Sequence, residues 1–223
     1  LTSFKLPENA EPSTFKYDNL GRLIEDENPL GHKIELSRAF AVGNWAVTHR
    51  SPTGLETTYV VDDAGPAYRL RAVDLPGGAS NTHTKRPDGV EILSYADGTT
   101  VEREIRPDPR WGMMLPYVAR EVTSIGGTTR TIIRKRAVSN TGNPWTFGTL
   151  TETTWVNPAF DGNGNPTGPE TVRSFEAWTS VDHRATPHGR TTARTLDAAG
   201  RLSTLAASGV TFENTGKEPL VTL

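Results

Sequence analysis

Along most of this chain apolar and polar residues alternate with the two-residue period of half-buried strands, and Gly, Asp, Asn and Pro interrupt the alternation at short intervals. Residues 56–61 are β-branched and end at Asp62-Asp63-Ala64-Gly65. Residues 90–95 stop at Asp97-Gly98, and the pattern resumes with Val101, Arg103 and Ile105 on one face and Thr100, Glu102 and Glu104 on the other. Gly126-Gly127 separates 118–125 from 128–138; a longer Asn/Gly/Pro loop at 157–169 separates 149–156 from 171–181; 191–205 closes the series. Asp-Gly or Gly-Gly between two alternating runs predicts a hairpin. Helical spacing arises only at 35–42, where Leu36, Ala39 and Phe40 align. Gly43-Asn44 follows at once and an apolar run resumes at Trp45, so a hairpin with a primed two-residue turn at Gly43-Asn44 is predicted. The fold class expected is all-β, with antiparallel hairpins extending one curved sheet.

Some of the interruptions repeat. Tyr17-Asp18-Asn19-Leu20-Gly21-Arg22-Leu23 returns as Leu196-Asp197-Ala198-Ala199-Gly200-Arg201-Leu202, and Val61-Asp62-Asp63-Ala64-Gly65 is a partial copy. Asn28-Pro29-Leu30-Gly31, Ser51-Pro52-Thr53-Gly54 and Pro87-Asp88-Gly89 form a second set of similar turns. Each position of the first motif has a folding role. The apolar residue ends a strand on the sheet face, Asp can bond backbone N–H groups in an Asx-turn, and Gly supplies a positive φ without steric cost. Arg-Leu starts the return strand, with Leu on the packed face and the Arg stem over its neighbours.

On these residues the chain resembles the RHS/YD-repeat family, whose consensus is Tyr-Asp-x-x-Gly-Arg-Leu followed by a Pro-x-Gly turn. The resemblance covers 15–106 and 191–205, with 110–189 an irregular β region of the same single domain, 1–223. It implies an arc of a hollow β-shell, like those of Rhs and Tc-toxin components, wall-associated surface proteins and teneurins. It also implies a non-catalytic structural role in a secreted or surface bacterial protein, with flanking repeats of the same polypeptide as partners. An enclosed effector or a cell-surface glycan would be a further partner, the glycan reading making the chain an adhesion module. The family's self-cleaving region has no match: Asp108-Pro109-Arg110-Trp111-Gly112 has Asp-Pro but the wrong spacing.

Composition narrows this further. Hydrophobic residues are 35 %, with Gly 21, Pro 16 and aromatics Trp 5, Tyr 5 and Phe 7 at a formal charge of −2. That is too aromatic and too neutral for disorder, and it points to many short strands around a lean core. The charge gives no footprint for nucleic acid, and no stretch is apolar enough for membrane insertion. Cysteine is absent, so no disulfide or thiolate site exists. A start at Leu1 without an apolar leader leads us to expect a piece of a longer protein.

Candidate chemistry is sparse, and no enzyme activity or cofactor is expected. Asp161, Asn163 and Asn165 place oxygens at alternate positions as in a calcium loop. An EF-hand type loop needs Gly at position six and Glu at twelve, where this chain has Pro166 and Val172, so a turn is expected. His32, His49 and His83 are scattered, and Asp182-His183 with His188 lacks a third ligand nearby. Arg130, Arg134, Lys135 and Arg136 form a basic strand, read as a solvated face or a protected edge. Trp45, Trp111, Trp145, Trp155 and Trp178 are read mainly as core, with sugar stacking as the alternative.

Overall fold

The computed structural model describes residues 2–7, 11–65, 68–139, 143, 145–208, 210–214 and 219–222, and all regular structure among them is β-strand. Two compact units, Leu1–Val101 and Glu102–Leu223, organise them. The first holds β1 (Ser3–Phe4), β2 (Ser13–Tyr17), β3 (Leu23–Glu27), β4 (Lys33–Ala41), β5 (Asn44–Arg50), β6 (Glu56–Gly65), β7 (Tyr68–Asp74), β8 (Ser80–Lys85) and β9 (Val90–Ser94). Each pairs antiparallel with the next in sequence. Strand β10 (Thr100–Asp108) spans the boundary. The second unit continues with β11 (Gly112–Ile125), β12 (Thr128–Val138), β13 (Thr149–Val156), β14 (Ala159–Phe160), β15 (Pro166–Thr167), β16 (Glu170–Glu176), β17 (Val181–Ala185), β18 (Thr191–Leu196), β19 (Leu202–Ala207), β20 (Val210–Asn214) and β21 (Pro219–Thr222). Here β13 passes over the small β14–β15 hairpin to pair with β16, and the other strands from β11 onward pair in order. The chain is all-β and built of antiparallel hairpins, as the alternation predicts.

One reversal recurs nine times among the described residues, at Asp18, Asn28, Ser51, Leu75, Arg86, Tyr95, Asp161, Thr186 and Asp197. In each, the first residue's N–H donates to the fifth residue's carbonyl, and the fourth residue's N–H donates back to the first residue's carbonyl. The fourth residue is always Gly, at φ between 73° and 87°. This is the three-residue hairpin loop, a type I turn closed by a left-handed glycine. Local chemistry favours it in two ways. Where the first residue is Asp or Asn, one side-chain oxygen accepts the N–H groups two and four residues on, as Asp18 does from Leu20 and Arg22 at 2.9 Å each. In two other copies Asp sits third, and Asp88 and Asp97 each accept the fifth residue's N–H, from Val90 at 3.1 Å and Thr99 at 2.8 Å. Proline in second place (Pro29, Pro52, Pro76, Pro87, Pro187) presets the first φ of the turn. The Tyr-Asp motif and the Pro-x-Gly turns are therefore one structure reached by different side chains.

Several local expectations change. The partial copy at 61–65 does not form this turn. Strand β6 runs through it to Gly65, with a register shift between Asp62 and Gly65 where β7 pairs, and Asp63 is bonded instead to Arg71. The β4–β5 turn is Val42-Gly43, because Ala41 pairs with Asn44. It is not primed: positive φ falls on Gly43 alone, at 70°. The strand expected over 171–181 breaks after Glu176 into a turn at 177–180, where Ser180 takes φ 53°. The region 110–189 holds two copies of the repeated turn, at Asp161 and Thr186.

The core is as lean as the composition implies. Among the described residues no side chain is fully buried, and the buried apolar ones are Ala72, Val101, Ala119, Ile132 and Trp155. Leu202 of the motif is 43 % exposed, and Arg22 lies over the Phe40 ring, 4.9 Å from its centroid. The Asp161 turn isolates the role of its fourth residue, because nothing lies within 4 Å of a Cβ built on either of its glycines and only Gly164 has positive φ. Gly164→Ala is expected to lower stability by about 1–2 kcal/mol. Gly162→Ala should be neutral or stabilising by up to about 1 kcal/mol. Equilibrium urea unfolding of the two variants checks the contrast.

Candidate functional site

The most enclosed polar group of the described chain is Asp108, at the end of β10 and 3 % exposed. Pro109 lacks an N–H and favours a turn, so the Asp108 carboxylate reaches past it. Its Oδ1 accepts the N–H of Arg110 at 2.9 Å and of Trp111 at 3.3 Å. Its Oδ2 accepts Nη1 of Arg136, from β12, at 3.3 Å. Arg136 also donates through Nε to Glu152 on β13 at 2.7 Å, and its guanidinium lies 4.7 Å from the Tyr117 ring centroid. Arg110 stacks over Phe147 at 4.5 Å, its buried Nε 3.8 Å from Asp108 and without a hydrogen bond among the described residues. With Leu115, Leu150, Arg173 and Phe175 these groups line a cavity of about 440 Å³.

Among the described residues no hydroxyl, imidazole or amine lines this cavity, and its two carboxylates share one arginine. The arrangement holds charge in place beneath aromatic rings. Sequence reasoning weighed Asp108 only against the family's cleavage motif. Its burial depends on Arg136, 28 residues away, and no local pattern announces that pairing.

The other candidates are dispersed by the register. Asp182 faces Arg173 and accepts from it at 2.9 and 3.0 Å, whereas His183, one residue on, points to the opposite face beside Ser174 and Ala193. His188 lies in the turn at 186–190, so the three are not brought together. His83 pairs with Glu91 at 3.2 Å. In the calcium-like segment, Asp161 Oδ1 accepts the N–H of Asn163 and Asn165, Oδ2 accepts Nδ2 of Asn165, and Lys135 Nζ donates to Asn165 Oδ1 at 3.3 Å. These are the bonds of the Asp18 and Asp197 turns, with Asn165 in the place of Arg22 and Arg201. Among the described residues no three His, Asp or Glu side chains group as a metal site.

The tryptophans divide. Trp155 is buried, with Lys135 Nζ 5.9 Å from its ring centroid, and Trp111 meets Trp145 edge to face at 4.7 Å. Trp45, Trp145 and Trp178 are exposed. Phe40 and Trp45 are directly opposed on β4 and β5, and Tyr59 of β6 shares their face. Among the described residues no helix is long and apolar enough to cross a membrane. Comparison with protein-family models and with curated proteins finds no match to the chain.

Two predictions follow from these contacts. Asp108→Ala leaves Arg136 and two backbone N–H groups short of an acceptor and should destabilise by about 2–3 kcal/mol, read as a lowered unfolding midpoint. The second concerns pH. Backbone N–H donors, above all those of Arg22, Asn165 and Arg201, hold the carboxyls of Asp18, Asp161 and Asp197 below their ordinary value of 3.8. A depressed folded-state value means that the stabilisation is full above the unfolded value and is lost as pH falls from about 4 through the folded values. Asn28 already builds the same turn with an uncharged side chain. Replacing all three Asp by Asn should therefore keep the fold and flatten the acid limb of the melting-temperature profile.

Proposed function

We propose that this chain is a non-catalytic structural segment of a secreted or surface RHS/YD-repeat protein, part of a shell that encloses or presents an effector. The observation that carries the reading is the recurrence of one turn nine times, with the motif Asp side chains bonded within the turn itself. Residues whose hydrogen bonds close on their own turn are free of any need for a substrate. A meander of nearest-neighbour hairpins can also be extended by flanking repeats of the same polypeptide, pairing at the terminal strands.

The test uses the longer protein that carries this chain. Electron microscopy should show a hollow particle, and protease should reach an enclosed segment only after the shell is opened. An open array with no protected segment would remove the shell reading. Hydrolysis of a polysaccharide or peptide that is lost on changing one carboxylate would remove the non-catalytic reading.

A second reading, adhesion, rests on the exposed Phe40–Trp45–Tyr59 face. Aromatic faces of this kind stack on sugar rings or on a partner's apolar surface. Trp45→Ala together with Tyr59→Ala should abolish surface or glycan-array binding if that face is the contact, and binding unchanged by the pair eliminates it.

A further inference from the structure

The pairings of β12, β13, β16, β17 and β18 sort their charged side chains unequally between the two faces. One face carries Arg130, Arg134, Arg136, Arg173, Arg184 and Arg194 against two carboxylates, Glu152 and Asp182; the other carries Lys135 against Glu170 and Glu176. Net charge near zero for the whole chain conceals a cationic face within it.

That face is under-neutralised where it is most crowded. Arg173 stands directly opposite Arg184, an arrangement of like charges that destabilises a sheet. Asp182 is taken in a two-point contact by Arg173, and Glu152 is taken by Arg136. Among the described residues Arg134 reaches only the Val118 carbonyl, at 3.5 Å. Among the described residues the guanidinium groups of Arg184, Arg190 and Arg194 have no hydrogen bond or ion pair. These four arginines and Arg173 line one groove of about 860 Å³, with the carboxylates of Glu152 and Asp182, each already paired to an arginine, and hydroxyl residues such as Thr154, Thr171 and Thr192 between them.

We propose that this groove binds a uronic-acid polysaccharide. Guanidinium forks match carboxylates in two-point contacts, and the hydroxyls between them suit a polymer whose anionic groups alternate with neutral sugar hydroxyls. Other polyanions fit less well. The sheet's backbone groups are engaged in the ladder, so an acidic peptide lying across this face would find no partners for its own amides. Among the described residues no aromatic side chain lines the groove, so single-stranded nucleic acid finds no stacking platform in them. The site is separate from the Phe40–Trp45–Tyr59 face and does not depend on the shell reading.

The test is calorimetric titration of the 223-residue chain with oligogalacturonate at low salt, with dextran, a single-stranded oligonucleotide and polyglutamate as comparisons. Oligogalacturonate should bind, weaken with rising salt, and lose about tenfold or more in affinity in Arg184→Gln/Arg194→Gln. Among the described residues neither changed side chain has a hydrogen bond or ion pair, and Arg184→Gln relieves a like-charge pair, so melting should show this variant folded. Lys135→Gln, on the opposite face, should bind as the parent does. The proposal fails if oligogalacturonate does not bind, if the double variant binds as well as the parent, or if the oligonucleotide or polyglutamate binds more tightly.

Discussion

A left-handed backbone angle at the fourth position of a five-residue reversal is the constraint on which the rest of this structure rests. Antiparallel strands twist, and a type I turn alone splays them; the glycine that follows it restores the match. Because it recurs at a fixed place in each turn, it also sets the register of the strands that leave it. A slip of one residue would exchange the two faces of a strand. The placing of Trp45 and Tyr59 on one face, across the Ser51 turn, and of Arg184 and Arg194 on one face, across the Thr186 turn, is thus a downstream effect of where the glycines stand.

With so little fully buried, cohesion comes from contacts between neighbouring strands. In the first unit Lys16, Glu25, Lys33, Glu35 and Arg50 run as a chain of ion pairs across β2 to β5. In the second, Arg103 pairs with Glu121 and Arg120 with Glu102, joining β10 to β11 on both faces. Such exposed pairs are individually weak and gain from being networked. The cationic groove is the place where this alternation of sign stops.

Much of the fold was legible because its determinants are local. Asp97-Gly98, Gly126-Gly127 and the motif around Asp18 each carry their turn within a few residues. The turn at 177–180 escaped because Ala177-Trp178-Thr179-Ser180 contains no Gly, Pro, Asn or Asp, and its left-handed position falls on Ser180. The segment 61–65 misled for the opposite reason: the turn residues are there, yet β5 and β7 hold it as strand on either side. The Asp161 segment was weighed as a metal loop although it copies the Asp18 turn, since Asn165 in place of Arg hid the likeness. Site geometry was less legible than fold. Which residues share a face depends on pairings between distant strands. Asp182 and His183 are adjacent in sequence and opposed in space, while Asp108 and Arg136 are the reverse.

The pairing of nearly every strand with its neighbour in sequence also shapes how the chain comes to be folded. Sheets that join distant segments must close long loops before any contact rewards them, and they form slowly for that reason. Here the longest step between paired strands is the passage from β13 to β16, which contains a hairpin of its own. Structure can therefore grow outward from any reversal, one strand at a time, as the chain leaves the ribosome. A protein of this design has no single event on which its assembly waits.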